Sequence, residues 1–473
     1  MEEHRRFYKK IDDAASEFRS SVGKTKPVRV ISHLDADGTA AAAIIIKALI
    51  REGMNYSITI VPQLKEDILK SVADEEYDIY IFTDLGAGQI QNIKKHLSKK
   101  KVFILDHHTP NGEESYENIV HVNPHFFGIK GDSEISGAGV VFLFSKALNE
   151  KNSDMAHIAI VGAIGDVQEK NGFKPLNNDI VEIAIKQKKI ERKKSLRFFG
   201  VETKPIYKLI AYGTEVIIPG VTGSESRAIQ FLNDIGIAPQ VDKRWKKLSN
   251  LTDSEMQTLV SSIIIKRQNE DDPSDVLGFV YKLIDEEEGS PMRDAKEFST
   301  MLNACGRLNK SSIGIGACLG DKKSKQEAIR TINEYKKEIL NAFKWYDENK
   351  NSDRIIHEKG FIIIDAKDNI LGTIIGTLAS MISHQEGIAP GTYILGVAKT
   401  SDGTVKASLR ISGKSKEGTD LKGVVDEIVS ISGGESGGHS VAAGASVPLE
   451  LEGEFLNAAR RVLSRKVLEE IIR

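Results

Sequence analysis

At 473 residues the chain is too long for a single hydrophobic core and predicts two or three domains, with the 40% hydrophobic and 28% charged content of an ordinary globular protein. No apolar run is long enough to span a bilayer, the polar stretch Met1 to Ser20 predicts no signal peptide, and Cys305 and Cys318 are too few for a disulfide framework and suit a reducing cytoplasm. A net charge of −2 neither requires nor excludes nucleic acid, and confines any nucleic-acid track to a local patch.

Phe7, Ile11, Ala14 and Phe18 recur at helical spacing and predict a helix that lays one apolar face on the first domain. Val28-Arg29-Val30-Ile31 reads as a strand, followed directly by Ser32-His33-Leu34-Asp35-Ala36-Asp37-Gly38. Gly38 permits a sharp turn into the helix begun by Thr39-Ala40-Ala41-Ala42-Ala43, whose N-terminal dipole favours a phosphate. The arrangement recurs: Asp84 follows Ile79-Tyr80-Ile81-Phe82-Thr83, and Asp106-His107-His108 follows Val102-Phe103-Ile104-Leu105. Asp166 ends the apolar segment Ile158 to Gly165, which reads as a fourth strand. Between them, Ser136-Gly137-Ala138-Gly139 is either a second phosphate entrance or plain helix-to-sheet packing.

Apolar runs without alternation suit a parallel sheet covered on both faces, and such sheets gather ligands at the carboxyl ends of their strands. Carboxylates crowded there repel one another unless a cation lies between them. Imidazole and carboxylate donors without thiolate favour Mn²⁺ or Mg²⁺, then Zn²⁺ or Co²⁺, and the candidate donors exceed the need of one ion, so two divalent cations roughly 3.5–4 Å apart are expected. A lone His-x-Asp-x-Asp is as well read as a solvated turn, but four acidic clusters in matching positions favour metal.

The run Lys186 to Arg197 holds seven basic residues against the single acid Glu191 and reads equally as a solvated helix face or a nucleic-acid track. From Leu209 to Gly289 the sequence predicts helices with polar connections, including a capping box at Thr252-Asp253-Ser254-Glu255. The basic cluster Lys243-Arg244-Trp245-Lys246-Lys247 reads as a Trp packed beneath a solvated face before it reads as a base-stacking site. A helix over Lys296 to Ala304 is expected to stop at a left-handed Gly306 with Arg307 beyond it, and a long helix ends near Asp347 before the polar linker Glu348 to Asp353.

The last domain opens with the buried strand Gly360 to Asp365 and a helix from Ile374 to Ile382. Strands Tyr393 to Ala398 and Val405 to Ile411 flank the hairpin signal Ser401-Asp402-Gly403. Lys406, Ser408 and Arg410 share one face of the second strand, a phosphate-binding surface or the solvent side of an edge strand. In Ser432 to Gly444 the glycines free backbone amides for an anion, and His439 adds a donor.

These motifs, together with Val122-Asn123-Pro124-His125, Glu134 to Gly139, Leu302-Asn303-Ala304-Cys305-Gly306-Arg307 and Gly437-Gly438-His439, resemble the DHH phosphoesterase superfamily in its archaeal RecJ-like branch, the GINS-associated nuclease type. The resemblance implies an α/β chain with a parallel-sheet DHH catalytic domain over 1–208, a helical middle region over 209–350, and a smaller α/β DHHA1 substrate-binding domain over 351–473, the active site lying in the cleft between DHH and DHHA1. It implies one metal held by His33, Asp35 and Asp84 and a second by Asp37, His107 and Asp166, with Asp84 bridging, Asp106 orienting a neighbour and His108 facing the scissile phosphate. Lys406, Ser408, Arg410, Gly437, Gly438, His439 and Arg307 are the implied substrate-binding residues. The leading functional expectation is a single-strand-specific exonuclease acting on DNA or RNA with two ions, Mn²⁺ first and Mg²⁺ second. A small-substrate phosphodiesterase and a replication scaffold are the alternatives, and an association with the GINS complex is implied by the branch alone.

Overall fold

The computed structural model describes residues 2–22, 26–170, 172–385, 387–400, 402–413 and 420–472. The chain divides into two compact units, Met1–Ile332 and Asn333–Arg473.

The first unit begins with α1 (Glu2–Ser21), which buries Phe7, Ile11, Ala14 and Phe18 as their spacing predicts. A six-stranded sheet follows, made of β1 (Val28–His33), β2 (Tyr56–Val61), β3 (Ile79–Thr83), β4 (Lys101–Leu105), β5 (Ser115–Tyr116) and β6 (Ile119–Val122) in the order β2-β1-β3-β4-β6-β5. All neighbours run parallel except the short edge strand β5. Every residue of β3 is buried, the expected state of a strand covered on both faces. On one face Tyr80, Phe82, Val102 and Ile104 pack with Leu69, Ile90 and Ile93 from α3 (Glu66–Ala73) and α4 (Ile90–His96). On the other, the Phe103 ring meets Phe18 edge-on at 5.3 Å between centroids. The helices α2 (Ala36–Arg51) and α5 (Gly137–Leu148) also lie on this face, and α6 (Ala156–Gly165) and α7 (Pro175–Lys186) pack behind them.

The segment before Asp166 is therefore a helix, α6, and not a fourth strand. Eight of its ten residues are buried, so no polar face breaks the apolar run and periodicity alone cannot tell it from a buried strand.

The basic run is likewise corrected. Its core forms β7 (Ile190–Leu196), antiparallel to β10 (Leu277–Leu283), rather than a helix face. Between them lie α8 (Ile206–Ala211), α9 (Glu225–Asp234), a small hairpin of β8 (Gln240–Val241) and β9 (Arg244–Trp245), and α10 (Asp253–Lys266). The predicted Thr252/Glu255 capping box starts α10. The middle region is thus helical with strands β8 to β10 added, around a core of Phe198, Ile210, Phe231, Leu232, Leu259 and Ile263. Trp245 packs on Tyr207 at 4.3 Å yet stays 39% exposed.

Helix α11 (Ala295–Arg307) runs through Gly306, so that glycine is not a left-handed helix stop. A Cβ at Gly306 would come within 1.7 Å of the Leu34 carbonyl oxygen, and close approach of α11 to the His33–Asp35 turn is what requires the glycine. Arg307 is the last residue of the helix rather than the first beyond it. Helix α12 (Ser311–Cys318) follows, and the long α13 (Lys322–Asn349) crosses from the first unit into the second.

The second unit is a mixed sheet of β11 (Ile355–Glu358), β12 (Phe361–Asp365), β13 (Tyr393–Lys399), β14 (Thr404–Ile411), β15 (Glu435–His439) and β16 (Ala442–Pro448), ordered β11-β12-β13-β14-β16-β15. Only β12 and β13 pair in parallel. Its helices are α14 (Gly372–Ile382), α15 (Leu421–Ser432) and α16 (Glu452–Ile472), and its core gathers Phe361, Leu395, Leu409, Val425, Ile428 and Phe455. Asp402 and Gly403 connect the expected hairpin, with Gly403 at φ 77°, while Ser401 of that signal lies outside the described residues.

Candidate metal centre

The carboxyl ends of β1, β3 and β4 bring His33, Asp84 and Asp106 side by side, as parallel pairing dictates. Donor atoms of His33, Asp35 and Asp84 lie within 4.8 Å of one another, and those of Asp37, His107 and Asp166 do the same. The groups meet at Asp84: its Oδ2 is 3.6 Å from His33 Nδ1 and its Oδ1 is 3.3 Å from His107 Nε2. Neither approach is aligned as a hydrogen bond, and both Asp84 oxygens are buried without a hydrogen-bond partner. Asp84 also sits at φ 57°, in the left-handed region that an aspartate tolerates better than most residues. A buried carboxylate without a hydrogen-bond partner, set between two imidazoles, fits a cation-binding position.

Neighbouring groups hold the other donors in place. Asp35 caps α2 by accepting the Gly38 N–H at 2.9 Å, and Asn303 Oδ1 accepts the Ala36 N–H at 2.9 Å. These contacts engage the very amides expected to meet a phosphate. Asp37 accepts the Gly137 N–H at 2.7 Å and the Ala138 N–H at 3.1 Å, so the anion at the N-terminus of α5 is the protein's own carboxylate. Gly162 has no room for a side chain there, since a Cβ would fall 2.5 Å from Asp37 Oδ1. His107 Nδ1 donates to the Gly131 carbonyl at 2.6 Å, which leaves Nε2 as the donor atom toward Asp84 and Asp37.

Asp106 is fully engaged. Its Oδ1 accepts from the His107 N–H at 2.8 Å and from His108 Nδ1–H at 2.8 Å, while Oδ2 accepts the Ala87 N–H at 2.8 Å. Asn123 Nδ2 donates to the His108 carbonyl at 2.9 Å and fixes the same turn. Spacing in the sequence carried no signal for Gln168, whose Nε2 donates both to Asp166 Oδ2 at 2.7 Å and to the Gly131 carbonyl at 2.9 Å. Asn303 lies within the Leu302 to Arg307 motif, but its role appears only when α11 meets α2.

Protonation states follow from crowding. Burial and the adjacent Asp84 charge push Asp37 well above the usual carboxylate range, and burial outweighs His107 to raise Asp166 to about 6. Burial would lower His33 and His107, but the surrounding carboxylates hold both well above an ordinary imidazole. Burial would raise Asp106, yet His108, His107 and the Ala87 amide hold it far below the usual range. With protein groups alone, the cluster retains protons that divalent cations would displace. Oxygen and imidazole donors, orphaned oxygens on Asp84 and neutralisable carboxylates fit such ions.

In the second unit, Lys406, Ser408 and Arg410 lie on one face of β14. This is an interior strand between β13 and β16, not an edge, and a Cβ on Gly376 of α14 would sit 3.0 Å from Ser408 Oγ, so a helix lies over that face. Arg410 Nη1 donates to the Leu409 carbonyl at 2.8 Å. Gly437 and Gly438 form an edge strand rather than an open turn, pairing with Gly444 and Ala443, because residues without side chains tolerate the φ of 120° at Gly438 within a ladder. His439 pairs with Ala442 through its backbone, and its side chain lies outside the described residues.

The chain matches the DHH family, N-terminal domain, over residues 27–164, the DHH-CID domain over 198–277 and the DHHA1 domain over 358–465. It is 32% identical over 446 residues to an uncharacterized protein of Methanocaldococcus jannaschii, covering 93% of this chain and 94% of that one. It is 28% identical over 172 residues to the single-stranded-DNA-specific exonuclease RecJ of Thermus thermophilus, of which it spans 25%, against 34% of its own length. The crystal structure of that RecJ with Mn²⁺ superposes with a TM-score of 0.56 at 17% identity, over 97% of this chain and 55% of that one. CDC45 from Entamoeba histolytica superposes with a TM-score of 0.65 at 11% identity, over 97% and 99% of the two chains, and so shares the fold. Among the described residues no helix is long and apolar enough to cross a membrane. The DHH, DHH-CID and DHHA1 matches, in that order along the chain, together with the RecJ relative and the RecJ and CDC45 folds, establish that this chain belongs to the RecJ-like DHH/DHHA1 family.

Proposed function

We propose that this protein is a metal-dependent exonuclease that hydrolyses single-stranded DNA or RNA, with Mn²⁺ as the preferred cation and Mg²⁺ as the second choice. The observation that carries the reading is the pair of donor groups, His33/Asp35/Asp84 and Asp37/His107/Asp166, joined at an Asp84 whose two buried oxygens have no hydrogen-bond partner. Two divalent cations bound there would supply Lewis acidity toward the phosphate and an activated water.

The protein's own residues divide the remaining work. Asp84 joins the two groups, and the strained turn after β3 keeps both its oxygens directed into the cluster. Asp106 is a positioning residue: it holds His108 by Nδ1, and we assign the other ring nitrogen, Nε2, to the scissile phosphate. Gln168 and Gly131 set the orientation of Asp166 and His107. Lys406, Ser408, Arg410, Gly437, Gly438 and His439 of the second unit, which fall within the DHHA1 match, and Arg307 of the first are assigned to grip the strand, as the family resemblance implies.

An association with the GINS replication complex is proposed from the family resemblance alone, and co-purification with recombinant GINS tests it. The activity itself is tested by incubating the purified chain with Mn²⁺ or Mg²⁺ and end-labelled single strands of DNA and RNA, their duplexes and dinucleotides. Stepwise shortening of single strands with duplexes spared is expected. Hydrolysis of dinucleotides alone would replace this reading with a small-substrate phosphodiesterase.

A further inference from the structure

We propose that the ribbon of β7 and β10 is a base-stacking subsite for the single strand, an inference that rests on the nuclease reading above. The register sets Arg192 opposite Tyr281 and Lys194 opposite Phe279, and the two-residue period of strands puts all four on one face. Phe279 is 49% exposed, and the Arg192 guanidinium lies 5.2 Å from its centroid. Next to it on the same face Tyr281 is buried against Phe173 at 5.2 Å, so the ribbon is a braced platform rather than a loose hairpin.

Lys194, Phe279 and Tyr281 of this face line a cavity of about 440 Å³ that is also lined by Ile164 and Glu169, which flank Asp166 in the chain. The cavity thus adjoins the segment that carries a proposed metal ligand. Four acidic and four basic residues line it, so its formal charge is balanced and what matters is which cations are left without an acid partner. Asp275 is paired with Arg267 at 2.6 Å, Asp272 accepts from Ser274, and Asp294 caps α11 through the Lys296 and Glu297 amides. Lys296 lies 3.6 Å from Glu169, and Arg197 pairs with Glu215 at 2.9 Å. Lys170 and Lys194, both exposed, have no ion pair among the described residues, so these two cations of the cavity are available to a phosphate.

An exposed aromatic face flanked by cations, beside a cavity wide enough for a nucleotide, is the recognition chemistry of unpaired strands: bases stack on the ring while cations follow the phosphates. Duplex cannot present its bases in this way.

The test measures binding of the full chain, without divalent metal, to a long fluorescent oligothymidylate, to the matching abasic strand and to a 5-iodouracil-substituted strand. Phe279→Ala is expected to weaken binding of the oligothymidylate roughly tenfold, Phe279→Trp to preserve it, and neither to change binding of the abasic strand. Lys194→Ala should flatten the slope of log affinity against log salt by about 0.7, the contribution of one phosphate contact. Photocrosslinking of the iodouracil strand should fall on the peptide carrying Phe279. If the wild-type chain binds the strand, Phe279→Ala binds it equally and the crosslink lies elsewhere, the subsite is refuted and the nuclease reading survives. If the wild-type chain binds no single strand, both fail.

Discussion

Gln168 donates its side-chain amide to Asp166 across 2.7 Å while Asn177 donates to Gln168 Oε1 at 2.6 Å, so a buried amide chain sets the orientation of a carboxylate in the proposed metal cluster. Removing such a partner typically costs 10–100-fold in metal affinity. Gln168→Ala should weaken Mn²⁺ binding by about that factor in calorimetric titration, with the fold intact by circular dichroism. Unchanged affinity would show that Asp166 is oriented by the backbone alone.

Asp84→Asn and Asp84→Ala should both abolish hydrolysis, because each removes the carboxylate that joins the two donor groups. Their stabilities should differ. Asparagine tolerates the left-handed φ of 57°, whereas alanine is strained there by about 1–2 kcal/mol, so the Asn variant should melt higher. More than trace Mn²⁺-dependent activity in either would refute the bridging assignment.

Gly162→Ala directs a methyl group to within 2.5 Å of Asp37 Oδ1 and 2.6 Å of the Ala138 Cβ, inside a helix that has little freedom to shift. Displacing Asp37 from the α5 amides should lower metal stoichiometry below that of the wild type. Full stoichiometry by metal analysis would mean that the neighbouring helix yields instead.

His121 is fully buried, with neither ring nitrogen hydrogen-bonded, and burial lowers its pKa to about 4 from an ordinary 6.5. Because the folded value is depressed, its neutral form is compatible with full stability above pH 6.5, and stability is lost as pH falls from there toward 4. The loss amounts to about 3 kcal/mol at most. His121→Phe, beside Phe126, should remove that part of the pH dependence in urea melts. An unchanged slope would assign the acid sensitivity to other groups.

Arg410→Ala and His439→Ala should lose hydrolysis of long single strands while metal content stays at the wild-type value, since both lie in the second unit and are assigned to grip. A missing ion in the His439 variant would move that residue into the metal shell.

Local pattern carried much of this protein. The strand-terminal positions of His33, Asp84 and Asp106, the amphipathic α1, the Thr252 capping box and the Asp402-Gly403 hairpin all depend on residues within a few positions of one another, and such interactions are present in the chain before it folds. Residue chemistry also pointed to divalent cations, because carboxylates and imidazoles at neighbouring strand ends require a positive partner.

What only the tertiary structure decided are the long-range matters. An apolar run buried on every side has no period to reveal, and so α6 read as a strand; a run of cations has none either, and β7 read as a helix face until pairing with β10 settled its form. Gly306 is spaced like a helix stop but exists to let α11 approach Leu34, a contact 272 positions away. The same holds for Gln168, Asn303 and the α5 amides: each acts on a carboxylate or amide brought to it by packing. Short-range propensity is written in neighbouring residues, whereas orientation of a buried donor is fixed by whichever distant atom the packed core places against it.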